Sequence, residues 1–217
     1  MNDTKKQGLE GAIESAVKDS DLHLSEIPDL DLYIDQILTL VSNKTETASE
    51  LYRENILTKT MINNYSKEGL LMPVKGKKYT REHIVQMLLI YSLKNTLSIG
   101  EIHRVLEGAR REGVEGESLM ESYERYLESK PRVRNFAAES AMGINSDGKL
   151  ESENGPDFLV ALLELLCYSA YIRNIALGLL RDRYPVPEDK DKDKDKDKDK
   201  DKDKDKIKEK DKKSEQA

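Results

Sequence analysis

Residues 57–73 read LTKTMINNYSKEGLLMP and contain one helix with both of its punctuation marks. Thr58 is an N-cap residue type, Gly69 suits the position just past a helix, and Pro73 prevents continuation. At about 100° per residue, Leu57, Thr58, Met61, Ile62 and Tyr65 gather on one side. Lys59, Thr60, Asn63, Asn64, Ser66 and Lys67 occupy the other, with no carboxylate before Glu68. A helix that is only solvated usually mixes Glu with its Lys. This outer face of amides, hydroxyls and ammonium groups is suited to an anion. An Asn amide matches the major-groove edge of adenine, and Lys and Thr suit phosphates and base acceptors.

The following residues, Val74-Lys75-Gly76-Lys77-Lys78-Tyr79, form a basic tight turn with a glycine at its tip. Beside a recognition helix such a turn reaches the phosphates flanking the groove. Outward from this centre the chain reads as helix almost throughout. Pro28 precedes an apolar stripe of Leu30, Ile34, Ile37, Leu38 and Val41. Thr80 caps a helix with Ile84, Met87, Leu88 and Tyr91 inward, and Ser98 with Glu101 is a capping box. Ser118 with Glu121 repeats that pattern, predicting a further helix start there. Gly155-Pro156-Asp157 opens the last helix, which runs to about Arg183. Strand alternation is nearly absent; the residues around Pro73–Tyr79 can form a small hairpin. The class predicted is all-α.

Charge is unevenly distributed along the 217 residues, whose formal net charge is −6. Residues 1–50 carry 4 basic and 11 acidic side chains, and residues 113–187 carry 8 and 12. Residues 51–112 reverse the balance with 11 basic against 6 acidic. A basic middle segment in an acidic protein makes a local electropositive surface, the property an anionic partner needs. From Glu188 the chain is almost only Asp and Lys, 13 acidic against 13 basic, with Ile207 as its one apolar side chain before Ala217. That composition cannot bury a core, so residues 188–217 are expected to be disordered.

The sole cysteine, Cys167, excludes an intrachain disulfide and is expected to be a small buried hydrophobe. His23, His83 and His103 are scattered without metal spacing, so no metal is expected, and both His83 and His103 read as surface or interhelix residues. Nothing resembles a nucleophile with its base, a phosphate-cradling glycine loop or a carboxylate pair. No cofactor is expected and the protein is not read as an enzyme. The polar Met1–Lys6 start, with no apolar run after it, predicts a cytoplasmic protein.

Ile62–Tyr65 through Gly69-Leu70-Leu71-Met72-Pro73, then Tyr79–Ile84, then Ser98-Ile99-Gly100-Glu101-Ile102, resemble the winged helix-turn-helix of MerR-type regulators. Leu57–Tyr65 with Lys77–Tyr79 is similar, more closely, to an uncharacterised bacterial domain-of-unknown-function family related to MerR. The resemblance covers about residues 28–112. It implies a winged helix DNA-binding domain with a small β-wing, acting on double-stranded DNA in transcription regulation. Thr60, Asn63, Asn64 and Lys67 would then face the groove, Lys75, Lys77, Lys78 and Tyr79 would form the wing, and Lys59 and Arg81 would complete the DNA-binding set. The chain departs from MerR proteins in having Asn63-Asn64-Tyr65 where they carry Arg-Tyr-Tyr, and in the long polar stretch Asn43–Asn55. A helical protein-interaction adaptor that has lost DNA binding is the alternative.

Four segments follow. Residues 1–27 are an acidic, partly disordered start, 28–112 the winged domain, 113–187 a helical dimerisation or regulatory region, and 188–217 the tail. Phe158–Leu180 is apolar nearly all round, interrupted by Glu164, Arg173 and Asn174. At 23 residues it is long enough for a bilayer, but Glu164 and Arg173 oppose that use. The resemblance implies instead a homodimer through the 157–183 helix, and no membrane association is expected.

Overall fold

Residues 81–93 run REHIVQMLLIYSL, apolar on nearly every side, and the fold is built by surrounding them. The computed structural model describes residues 8–46, 48–49 and 57–186. The Asp-Lys tail and most of residues 47–56, including the end of the polar stretch, lie outside the described residues. Among the described residues the architecture is mostly helical, with one two-stranded sheet. In chain order it comprises α1 (Leu9–Val17), β1 (Leu32–Tyr33), α2 (Ile34–Thr45), α3 (Lys59–Lys67), β2 (Lys78–Tyr79) and α4 (Arg81–Leu93). These are followed by α5 (Ile99–Arg111), α6 (Glu117–Ile144) and α7 (Gly155–Arg183). Short 3-10 turns lie at Leu24–Glu26 and Lys149–Glu151. All contacts below belong to the compact unit that ends at Tyr184.

The helix α4 is the hub. His83 through Leu88 and Ile90 are all buried, and Ile84, Met87 and Ile90 meet Ile37 of α2, Ile62 of α3 and Ile102 of α5 in one core. Its start is fixed locally, because the Thr80 hydroxyl accepts the His83 N–H. The Ser98–Glu101 capping box opens α5 as expected, with both reciprocal bonds formed. The core also takes in Leu22 and Ile27 before residue 28, and Leu119, Tyr123 and Leu127 after residue 112. The acidic start is therefore partly ordered: Leu9–Val17 is helical, and the arm after it lies along α6. There Tyr123 donates to the Leu22 carbonyl at 2.9 Å, and Glu124 accepts the Leu24 N–H at 3.0 Å. Lys130 and Arg134 each pair with both Asp19 and Asp21.

Three local expectations are corrected. Ser118 does not cap α6; the helix begins at Glu117 behind Gly116, whose φ of 57° is left-handed and whose N–H donates to Glu82 of α4 at 2.6 Å. A tertiary partner thus decides that start. The residues around Pro73–Tyr79 do not pair with each other. Lys78 and Tyr79 pair antiparallel with Tyr33 and Leu32, ahead of α2. Cys167 is exposed, because α7 turns that side away from the chain. One feature absent from the sequence reading is that α6 continues through Pro131 to Ile144. An interior proline costs about 3 kcal/mol. Here Lys130 and Arg134, on either side of it, hold α6 to the arm through their aspartates.

The helix α7 matches its expected span, and little of it is buried. Only Ala161, Leu177 and Leu180 are buried. Arg173 turns inward and donates to the Thr96 carbonyl at 2.7 Å and to Glu101 at 3.2 Å. The Tyr184 ring then lies directly on Gly108 of α5, where any Cβ would collide with it.

Candidate nucleic-acid interface

Thr58 begins α3 as its sequence suggests, its hydroxyl accepting the Met61 N–H at 3.2 Å. Ile62 and Tyr65 anchor the helix in the core, so the opposite side must face solvent. The end is a Schellman motif. The Leu70 N–H bonds the Tyr65 carbonyl at 2.9 Å, the Gly69 N–H bonds that of Ser66, and Gly69 has φ of 68°. Leu70 and Leu71 are then buried, which locks the exit direction. On the outer side Thr60, Asn63, Asn64 and Lys67 are all exposed. Their i, i+3, i+4, i+7 spacing makes one continuous stripe.

The chain leaving α3 is aimed by a residue that the sequence reading missed. Gln86, buried inside α4, accepts the Met72 N–H at 3.1 Å. Its signal was a polar side chain in an otherwise apolar run, and a buried amide needs a partner. Beyond it the turn Lys75-Gly76-Lys77 requires glycine at its tip, where φ is 80°. Lys75 and Lys77 are exposed at that tip. Tyr79 is half-buried and packs edge-on against His83 at 6.0 Å, a structural position beneath the turn.

The structure divides the ten expected residues into two groups. Thr60, Asn63, Asn64, Lys67, Lys75 and Lys77 present free polar ends. Lys59 instead faces Asp35 of α2 at 3.8 Å. Lys78 sits over the Tyr33 ring at 5.2 Å, a cation–π contact that leaves its ammonium at the surface. Arg81 is half-buried and donates to the Leu24 carbonyl, so it ties the arm to α4 and does not point outward. His83 is buried, with Nδ1 against the Thr80 hydroxyl at 2.6 Å, while His103 is exposed. In the antiparallel register of β1 with β2, the exposed Asp29 and Asp31 precede the residue paired with Tyr79 and so run away from the turn. Among the described residues no cluster of His, Cys, Asp and Glu could hold a metal.

What this surface can do is bind an extended anion: amides and a hydroxyl in a row on a helix, flanked by two free ammonium groups.

No curated protein and no solved structure matches the chain. A family described as a domain of unknown function does match, over 22–126, a span that takes in the arm, α2 to α5 and the start of α6. It provides no link to MerR-type regulators. Its limits agree with the core, which begins at Leu22 and ends at Leu127. Residues 22–126 of this chain carry a domain of unknown function, DUF1836.

Proposed function

We propose that the protein is a sequence-specific double-stranded DNA-binding transcriptional regulator, as its resemblance to MerR-type winged helices implies. One observation carries this reading. Thr60, Asn63, Asn64 and Lys67 form an exposed stripe without an acidic member, next to the free Lys75 and Lys77. A helix of this width fits the major groove, with amides on base edges and the lysines on flanking phosphates. Lys59, Lys78, Tyr79 and Arg81 support the surface more than they touch DNA, given their contacts within the chain.

The test is fluorescence anisotropy of the full chain on a pool of duplexes across a salt series. Log affinity should fall with log salt by about 0.9 per phosphate contact, so Lys75→Ala with Lys77→Ala should lower the slope by about 2. Asn63→Ala or Asn64→Ala should relax base preference, with about 1–3 kcal/mol less discrimination. Equal weakening by the Asn variants on every duplex would remove direct readout from the proposal. The second reading, a protein-interaction adaptor, is favoured by the Lys59–Asp35 pair. It predicts no binding to any duplex even at low salt.

A further inference from the structure

Four parts of the fold meet around a crevice of about 240 Å³: the arm at Asp19–Leu22, α2, the end of α4 with the residues after it, and α6. Leu22, Val41 and Leu88 form its buried floor, and the exposed Ser92, Asn95 and Tyr126 mark its mouth. An enclosed cavity of about 150 Å³ already takes a benzene ring, whereas drug-sized ligands use about 300–1,000 Å³. The space therefore suits one ring or two fused ones. Tyr91, Tyr123 and Tyr126 bring three aromatic side chains to it, and aromatic rings pack well on one another edge-on or offset. The charges in its walls are balanced and already paired. Lys130 is held by Asp19 and Asp21, and Lys44 by Glu26 at 2.6 Å. An ionic ligand has to compete with those pairs or enter a half-buried site without a counter-ion, and either is costly. Uncharged hydrogen-bonding groups are what the walls offer. The Asn95 amide and the Tyr126 hydroxyl have no hydrogen-bond partner among the described residues. The Ser20 and Ser92 hydroxyls donate to the Lys44 and Leu88 carbonyls, which leaves their oxygens able to accept.

We propose that this crevice is a binding site for a small, uncharged aromatic molecule whose ring carries amide-like or hydroxyl groups, the chemistry shared by a nucleobase and a substituted phenol. The tyrosines and the apolar floor take the ring. Asn95 offers a paired donor and acceptor to its edge, and the Tyr126 hydroxyl adds one further bond. A few convergent polar groups over an apolar floor is the usual build of a small-molecule site. The arm is part of this site. It supplies Asp19, Ser20 and Leu22 to the wall, and it lies on α6 through the bonds of Asp19 and Asp21 to Lys130 and Arg134. A ligand held between arm and helix binds only while the arm is in place, so it stabilises that position by mass action. No residue of α3 or of the turn after it lines the crevice, which separates this site from the proposed DNA surface.

The test is calorimetric titration of the full chain without DNA, so its outcome is independent of the DNA-binding proposal. Adenine and uracil stand for the nucleobases and 4-hydroxybenzamide for the phenols, with toluene, benzoate and benzylamine as apolar, anionic and cationic comparisons. At least one of the first three should bind about 10-fold or more tighter than every comparison, and which one it is names the source. Asn95→Trp, which fills the mouth from an exposed position, should weaken that probe by about 10-fold or more. Asn135→Trp, at an exposed residue of α6 that does not line the crevice, should leave it unchanged. Tyr126→Phe removes one hydroxyl and should weaken it by about 2–10-fold, a result that stands even if the Trp variant fails to fold. The bound probe should also slow hydrogen exchange in residues 19–24. No binding by any of the first three at about 5 mM overturns the proposal. Equal binding of the charged comparisons, or binding that a folded Asn95→Trp and Tyr126→Phe both leave intact, overturns it as well.

Discussion

Two helices of this protein, α4 and α7, share a sequence property and differ in how it is used. Both are apolar around most of their circumference, with no clear polar stripe. A helix of that kind has to be enclosed. The chain encloses α4 completely, with α2, α3 and α5 and the first turns of α6 around it. Of α7 it buries only Ala161, Leu177 and Leu180. The difference is that α4 forms the core, whereas α7 keeps most of its large apolar side chains exposed. The free stripe of α3 stands apart from both, because it is exposed and polar.

The comparison breaks most easily at the core. Ile90→Ala should lose about 2–5 kcal/mol of stability in urea unfolding, the usual range for a fully buried aliphatic side chain. Leu163→Ala on α7 should change unfolding by less than about 0.5 kcal/mol at concentrations where the chain is monomeric. Equal losses at the two positions would show that α7 is packed as tightly as α4. At the inner side of α7, Gly108→Ala forces the Tyr184 ring off α5 and should cost about 1–3 kcal/mol. Hydrogen exchange should then rise first in the last turns of α7. A uniform rise across the protein would mean that this contact belongs to the core. A smaller effect is expected at the surface helix. Thr58→Ala removes the α3 cap and should cost about 1 kcal/mol, with faster exchange confined to the first turn of α3.

The N-terminal arm sharpens the comparison through pH. The Leu24 N–H, and after it His23, hold the Glu124 carboxyl below the ordinary value of 4.5. Folding therefore gains from this group above that pH, and the gain disappears as pH falls through the depressed folded value. The Ser98 backbone N–H likewise lowers Glu101, with Arg173 a smaller contributor. Unfolding midpoints should drop as pH is lowered from about 5 to 3. Glu124→Gln should flatten that drop. An unchanged profile would show that the arm does not depend on this carboxylate. Lys130 moves the other way. Burial alone would lower it, but its bonds to Asp19 and Asp21 win and hold the ammonium above its usual range.

What the sequence disclosed follows from how local each interaction is. Thr58, Thr80 and Ser98 cap their helices through groups three residues away, so their spacing was sufficient. Ser118 carries the same signature and does not cap, because Gly116 finds a better partner in Glu82, 34 residues earlier. The contacts of the arm were not legible for the same reason, since Asp19 and Asp21 meet Lys130 and Arg134 more than 100 residues away. Strands of two residues have no periodicity to detect, which is why the pairing of Lys78-Tyr79 with Leu32-Tyr33 was missed although the Pro73–Tyr79 stretch was read as able to form strand. In the candidate interface, the wheel of α3 gave the stripe from Thr60 to Lys67 correctly as a surface. It had no means of showing that Lys59 would turn to Asp35 or Arg81 to the Leu24 carbonyl. The apolar character of α7 was equally plain, but the inward turn of Arg173 and the exposure of Cys167 depend on where α5 lies.

The central proposal is that the polar stripe of α3 and the turn after it are the surface used on DNA, and that α7 is not. Hydrogen exchange of the full chain, measured with and without a selected duplex at low salt, reads both regions at once. The account predicts that DNA slows exchange in residues 58–79 and leaves α7 unchanged. Unchanged exchange in residues 58–79 under saturating DNA, or protection by DNA centred on α7, would contradict it.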